Sequence, residues 1–181
     1  MKTSHVPAGF HAATPYLIFD GSAAAAIDFY AKAFGAIELP GRLTDAAHAV
    51  LNVEIKIGDS ILRLGDEVPW RIAKSPRSLG GTTAFVHLYV EDSDAMVERA
   101  VALEAKVLLP IKDQWYGDRS ASIADPFGHT WTIATHREDL SPEELAKRFA
   151  TAMRQSGERD TAKVDDTEPT PAEGDAPAPA V

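Results

Sequence analysis

The chain contains no cysteine in its 181 residues. Disulfide bonds, catalysis by a thiolate and zinc sites built on cysteine are therefore excluded. No apolar run approaches the roughly 18 residues that a membrane-spanning helix requires, and no basic segment precedes an apolar stretch near the first residue. We therefore expect a cytoplasmic protein that has no membrane partner.

Cations are scarce, because 18 Lys and Arg stand against 27 Asp and Glu, which gives a net charge of −9. Nucleic-acid binding needs a basic stripe, so no nucleic-acid partner is expected. Residues 155–181 hold seven acids and two cations among many Pro and Ala residues. Since this segment has too little apolar area to offset its ordering entropy, we predict a disordered acidic Pro/Ala tail. A partner-binding role for this tail is one open alternative.

An internal repeat organises the middle of the chain. The order strand, helix, strand, strand, strand occurs twice at a constant offset: Pro40 and Pro110 are 70 residues apart, and so are the turn residues Gly58 and Gly128. One such module alone leaves a sheet face uncovered, whereas two can enclose a cavity. The sequence therefore predicts an α+β fold in which tandem βαβββ modules form curved mixed sheets around a cleft, with the helices on the outside.

The same patterns divide the chain into six segments. Ser141 as N-cap, Pro142 at the first helical position and a Glu two residues later mark the start of a C-terminal helix. The predicted segments are a loosely held N-terminal arm (1–13), the first module (14–70), a connecting loop (71–81), the second module (82–136), the C-terminal helix (137–154) and the tail (155–181).

Candidate binding residues lie in two places in the second module. Two aromatic residues, an acid and a guanidinium open a predicted hairpin, and such a mixture at a strand edge suits a small-molecule cleft. These residues are Trp115, Tyr116, Asp118 and Arg119. The alternative is an ordinary hairpin in which Arg119 pairs with Asp118 or with another acid. His129, after the turn glycine, is predicted to lie on the surface at the hairpin tip.

The other candidates alternate along the first strand of the second module. Phe85, His87 and Tyr89 share one strand parity, so their side chains point to the same face. His87 is the best candidate for a catalytic residue, because an imidazole titrates near neutral pH. The alternative is a histidine that is hydrogen-bonded within a cavity wall.

Several sequence blocks resemble the vicinal oxygen chelate superfamily, which includes glyoxalase I, extradiol dioxygenases and the bleomycin- and fosfomycin-resistance proteins, and within it the PhnB-like branch. The blocks are Ala26-Ile27-Asp28-Phe29-Tyr30, Tyr116-Gly117-Asp118-Arg119 and Asp125-Pro126-Phe127-Gly128-His129-Thr130-Trp131. The resemblance implies a homodimer, a cleft that Phe85 faces, and a divalent metal with four ligands. Carried over by position, the ligand sites fall on Pro15, Leu62 (or Arg63), Phe85 and Thr132, of which only the weak hydroxyl of Thr132 could bind a metal.

The expected function follows from the lack of metal-binding side chains at three of these four positions. We expect a protein that binds a small organic molecule in a cleft without a metal or other cofactor, so glyoxalase-type metal chemistry is not expected. The alternative is a metal-dependent lyase, isomerase or dioxygenase that uses a relocated ligand set such as His48, Glu54 and His87.

Overall fold

The computed structural model describes residues 3–165 of the chain, with side chains for residues 3–155. The described residues divide into two compact units, with the boundary between Glu138 and Asp139. The first unit contains both predicted modules, and the second contains the C-terminal helix.

Each module of the first unit folds as a strand, a helix and a set of further strands. The first module comprises β1 (Tyr16–Phe19), α1 (Ala23–Phe34), β2 (Ile37–Glu38), β3 (Leu43–Thr44), β4 (Val50–Ile57) and β5 (Ser60–Asp66). A short helix, α2 (Pro76–Leu79), lies in the segment that we expected to be an irregular loop. The second module comprises β6 (Phe85–Tyr89), α3 (Ser93–Ala102), β7 (Lys106–Asp113), β8 (Asp118–Ala124) and β9 (Thr130–His136).

The two sheets are mixed and have corresponding strand orders. The first sheet has the order β1-β5-β4-β2, with β3 also paired to β4, and the second has the order β6-β9-β8-β7. The strands β1 and β5 are parallel, as are β6 and β9, whereas the other pairs are antiparallel. The predicted tandem βαβββ fold is therefore confirmed.

The helices cover one face of the sheets. Helix α1 buries seven of its twelve residues, and its Phe34 packs on Trp131 of the second sheet at a ring distance of 4.8 Å. The opposite side of α1, which includes Asp28 and Lys32, is exposed. Helix α3 contacts α1 and its own sheet. Each sheet therefore has one face that the helices cover, as predicted, and one face that is directed away from them, which we call its outer face.

Two buried carboxylates fix loops to this core. Asp66 accepts hydrogen bonds from the backbone N–H groups of Ala23 (2.9 Å) and Val50 (2.7 Å), and so stabilises the start of α1 in place of the Ser22 side chain. Asp125 accepts from the Tyr30 hydroxyl (2.6 Å) and joins the first module to the second.

The second unit contains one long helix. The backbone N–H of Glu144 donates to the Ser141 hydroxyl (3.2 Å), and helix α4 (Pro142–Asp165) starts at the predicted proline. The helix continues past residue 154, where we placed its end, because no proline occurs between Pro142 and Pro169. Of the predicted tail, residues 166–181 lie outside the described residues. Within residues 3–165, no helix is long and apolar enough to span a membrane.

Candidate functional site

The outer face of the second sheet carries the side chains that the strand alternation predicted. Val86 and Leu88 pack against the core, whereas Phe85, His87 and Tyr89 are directed away from it. Phe85 and Tyr89 remain 63% and 61% exposed. The rings of His87 and Tyr89 lie 4.6 Å apart and are tilted by 39°. These three residues form an aromatic strip that no other described part of the chain covers fully.

A hydrogen-bonded cluster continues this strip across the sheet. The Tyr89 hydroxyl donates to Asp118 Oδ2 (3.0 Å), and the other carboxylate oxygen is bound to His136 Nδ1 (2.8 Å). Asp118 is only 4% exposed. Its carboxylate raises the pKa of Tyr89 above the ordinary value of a tyrosine, because it accepts the phenolic proton and opposes a second negative charge. Farther along the face, the hydroxyls of Ser122 and Thr132 are 3.3 Å apart.

Two grooves adjoin this face. One, of about 860 Å³, lies between the β1 and β6 strands and the segment 73–84. The other, of about 900 Å³, is lined by the β6 end, by the turn at Gly58 and by α3. His87 lines both grooves, and Tyr89 and His136 line the second. Each volume is within the range of small-molecule sites, about 300–1,000 Å³.

The structure separates the predicted hairpin residues. Asp118 and Tyr89 come together, whereas Arg119 follows Asp118 on the strand and so lies on the opposite face. The Arg119 guanidinium binds Asp94 through two hydrogen bonds (2.6 and 2.7 Å) and Asp113 through a third (3.2 Å), and these carboxylates raise the pKa of Arg119. The alternative of a salt bridge with another acid therefore describes Arg119, and a ligand contact by this residue stays an untested prediction.

The two aromatic residues of the hairpin lie beside the face rather than in a groove. The rings of Trp115 and Tyr116 meet edge to face at 5.2 Å, and the Tyr116 hydroxyl is 3.3 Å from the Ser120 hydroxyl. Neither residue lines either of the two grooves. Their predicted contact with a ligand is also untested.

The positions that would hold the superfamily metal do not have suitable side chains. Leu62 is buried in the core, and its neighbour Arg63 lies on the outer face of the first sheet, where it pairs with Glu54 at 3.1 Å. Phe85 and Thr132 occupy the corresponding face of the second sheet. An aromatic ring, a guanidinium and a single hydroxyl are poor ligands for a divalent cation, so the residues present do not fit this metal. The mismatch lies in the types of residue that the sequence has at these positions.

The relocated ligand set is not assembled either. Within residues 3–155, no three side chains of His, Asp or Glu lie close enough together to hold a metal ion. His48 lies in the turn before β4 with a backbone φ of 66°, and Glu54 is engaged by Arg63. His48, Glu54 and His87 therefore do not form a common site.

Two histidines lie where the sequence interpretation did not place them. His129 is buried rather than at the surface: its Nε2 is 3.1 Å from the Ile18 carbonyl oxygen and its ring lies 4.8 Å from the Phe19 ring. Burial lowers the pKa of His129. His136, which was not among the predicted site residues, joins the Asp118 cluster. The hairpin turn gave a usable signal, because it pairs the first residue of β8 with the last residue of β9.

Comparisons with known proteins give consistent results. The model of the Glyoxalase/Bleomycin resistance protein/Dioxygenase superfamily matches residues 11–133. An uncharacterized protein of Mycobacterium bovis is 39% identical over 137 residues, which cover 74% of this chain and 89% of that protein.

Solved structures extend this similarity to the fold. A gene product of Arabidopsis thaliana matches with a TM-score of 0.56 and 27% identity, over 69% of this chain and 98% of that chain. A PhnB protein of Bacillus cereus matches with a TM-score of 0.53 and 16% identity, over 69% and 99% of the two chains, which indicates a shared fold alone.

Proposed function

Because the chain belongs to the Glyoxalase/Bleomycin resistance protein/Dioxygenase superfamily, we propose that it binds a small organic molecule on the outer face of its second sheet, without the superfamily metal. The single observation that carries the proposal is the exposed aromatic strip of Phe85, His87 and Tyr89 beside a buried, hydrogen-bonded carboxylate. Large exposed aromatic side chains are unusual on a protein surface and mark binding sites when they are contiguous.

The chemistry of the face defines the class of ligand. The strip offers ring surfaces for stacking, and the His87 imidazole offers one hydrogen-bond donor and one acceptor. The hydroxyls of Ser122 and Thr132 lie on the same face. A flat aromatic molecule that carries a hydroxyl or a comparable polar group would use both features. No bond-making step is required of the protein for such binding.

A metal-dependent lyase, isomerase or dioxygenase is the alternative within the superfamily. It requires a set of oxygen or imidazole ligands, and neither the inherited positions nor His48, Glu54 and His87 provide one in the described part of the chain. The alternative therefore has no structural support here, and we propose binding as the function.

We further propose that the working state is a cytoplasmic homodimer. Apart from the proposed ligand strip, the second sheet leaves apolar side chains uncovered on its edge strand β7, which a second copy would bury. These side chains are Val107, Leu108 and Leu109. Light scattering on the purified protein distinguishes a dimer from a monomer.

The binding proposal is tested with 1-naphthalenemethanol, a neutral bicyclic alcohol, by following backbone amide resonances during a titration. We expect shifts that concentrate on β6 and around Asp118, and at least a ~5-fold weaker affinity in Phe85→Ala, since stacking on one aromatic side chain contributes about 1 kcal/mol. Ile37→Ala is the matched control, because Ile37 is an equally exposed strand residue of the first sheet. Equal affinities of the two variants would contradict the proposal.

A further inference from the structure

The hydrogen bond between Tyr89 and Asp118 decides which hydrogen-bonding role the tyrosine offers to a ligand. The Tyr89 hydroxyl oxygen lies 3.0 Å from Asp118 Oδ2. Because a carboxylate can only accept, the hydroxyl donates its single proton to Asp118. The Tyr89 oxygen then has a lone pair, but no hydrogen, for any other partner. Toward a bound molecule, Tyr89 is therefore an acceptor.

The Asp118 carboxylate acts on a ligand only through this hydroxyl. Asp118 is 4% exposed, whereas Tyr89 is 61% exposed. The other carboxylate oxygen lies 2.8 Å from His136 Nδ1, which must carry a hydrogen for the same reason. Hydrogen bonds in a chain strengthen one another, so the carboxylate makes the Tyr89 oxygen a better acceptor than that of an isolated tyrosine.

The Tyr89 side chain is also held in position. Its ring lies 4.6 Å from the His87 ring with a tilt of 39°, and its hydroxyl is anchored on Asp118. These two contacts fix the oxygen at the end of the aromatic strip, where Tyr89 lines the second groove. An aromatic molecule that stacks on the strip can therefore place a substituent against this oxygen.

The charge of the second groove favours the same kind of ligand. Apart from its histidines, the groove is lined by three carboxylates, Asp59, Glu91 and Asp92, and by one guanidinium, Arg99. Arg99 donates to the Ala33 carbonyl oxygen at 3.4 Å. An excess of negative charge opposes an anionic ligand and accommodates a neutral or positively charged one.

We propose that the outer face of the second sheet selects aromatic molecules whose substituent is a hydrogen-bond donor, a hydroxyl or an amino group, over the corresponding ethers, ketones and carboxylates, because Asp118 keeps Tyr89 in the acceptor role. This inference rests on the proposed function and specifies the ligand class of the same site. Asp118 is a positioning residue in it, since it acts through the Tyr89 hydroxyl.

The test compares 1-naphthalenemethanol with its methyl ether, which keeps the ring system and the oxygen but has no donor. Affinities are measured on the full chain by titration of backbone amide resonances. We expect the alcohol to bind at least ~5-fold more tightly than the ether, as one additional hydrogen bond provides. In Tyr89→Phe, which keeps the ring and removes the acceptor, this ratio should fall to about 2 or less.

Tyr116→Phe is the matched control. Its hydroxyl is 3.3 Å from Ser120 Oγ, and Tyr116 lines neither groove. This variant should therefore keep the preference for the alcohol.

Asp118→Asn separates positioning from a structural role. An amide has one acceptor oxygen, and when that oxygen keeps the hydrogen bond from His136, the amide nitrogen donates to the Tyr89 oxygen. The tyrosine proton is then directed to the ligand, so the ether should bind about 2- to 5-fold more tightly than it binds the unchanged protein. A purely structural loss would instead weaken the binding of both probes equally.

Equal affinities of the two probes for the unchanged protein, an unaltered ratio in Tyr89→Phe, or equal weakening of both probes in Asp118→Asn would overturn this proposal. The amide shifts on β6 would in each of these cases still support the proposed function. Absence of such shifts with both probes would contradict the proposed function and this inference together.

Discussion

Replacement of Asp125 tests how the two modules are joined. Asp125 is 4% exposed, and its Oδ2 accepts hydrogen bonds from the Tyr30 hydroxyl (2.6 Å) and the Trp131 indole N–H (3.0 Å). Its Oδ1 accepts from the backbone N–H groups of Phe127 (3.0 Å) and His129 (2.9 Å) in the hairpin turn. One carboxylate thus satisfies four donors, of which one belongs to helix α1 and three to the second module.

The magnitude follows from the donors that lose their partner. In Asp125→Ala, the side-chain donors of Tyr30 and Trp131 remain buried and unsatisfied, and each such group costs about 1–3 kcal/mol. The expected loss in the free energy of unfolding is therefore about 2–6 kcal/mol before the turn is considered. Small domains unfold with about 5–15 kcal/mol, so the variant should be strongly destabilised.

Urea unfolding followed by circular dichroism measures this loss. Tyr30→Phe removes one donor and leaves Asp125 with three partners, so it should cost about 1.5–3 kcal/mol, as expected for a hydrogen bond to a charged group. A double-mutant cycle of Tyr30→Phe with Asp125→Asn should show a coupling of at least ~1 kcal/mol.

The matched control is Asp59→Ala, at an exposed turn position that follows the corresponding glycine of the first module. It should change the free energy by less than about 0.5 kcal/mol. A loss of less than ~1 kcal/mol in Asp125→Ala would refute the view that this carboxylate joins the modules.

Two further predictions concern the backbone and the pH dependence of stability. Gly117→Ala should destabilise the chain by about 2 kcal/mol or more, because Gly117 has a φ of +96° and an added Cβ would lie 2.6 Å from the Glu138 carbonyl oxygen. The control is Gly81→Ala, because nothing lies within 4 Å of a Cβ added there. In urea unfolding, this control should be nearly neutral. Because the pKa of His129 is lowered in the folded chain, the unfolded chain binds the proton first as the pH falls. The stabilisation that neutral His129 provides should therefore be complete above about pH 6.5 and decline below it. His129→Gln should lack this part of the pH dependence of the free energy of unfolding, and an unchanged pH dependence would contradict the assignment.

The sequence predicted the fold well because the repeat is a property of element order. Strand alternation placed Phe85, His87 and Tyr89 on one face correctly, since the two-residue period of a strand leaves no other choice. The same alternation could have separated Asp118 from Arg119, because adjacent strand residues point to opposite faces. Their closeness in sequence favoured an ion pair that the sheet geometry forbids.

The hydrophobic pattern of the sequence does not show which residues cover a given face of a sheet or helix. The apolar residues of α1 indicate a helix with one buried side, but they do not show which residues cover that side. The position of His129 depends on Phe19 and on the Ile18 carbonyl group, residues more than 100 positions away. The contact of Phe10 with Arg63 is similarly nonlocal. Local periodicity carries no signal for such pairs, so the arm and the hairpin tip were both assigned to solvent.

Stability alone does not account for the composition of the outer face of the second sheet. A face that only contacts water would carry short or charged side chains, and a face that only contacts another subunit would be mainly apolar. This face combines exposed rings with a carboxylate that is almost wholly buried by Tyr89 and His136. Replacing buried ionic groups by apolar ones is often neutral or stabilising, so such a cluster contributes little to the stability of the fold. Fixed polar groups beside apolar surface are instead what a small molecule needs for orientation, and this favours binding as the reason for the cluster.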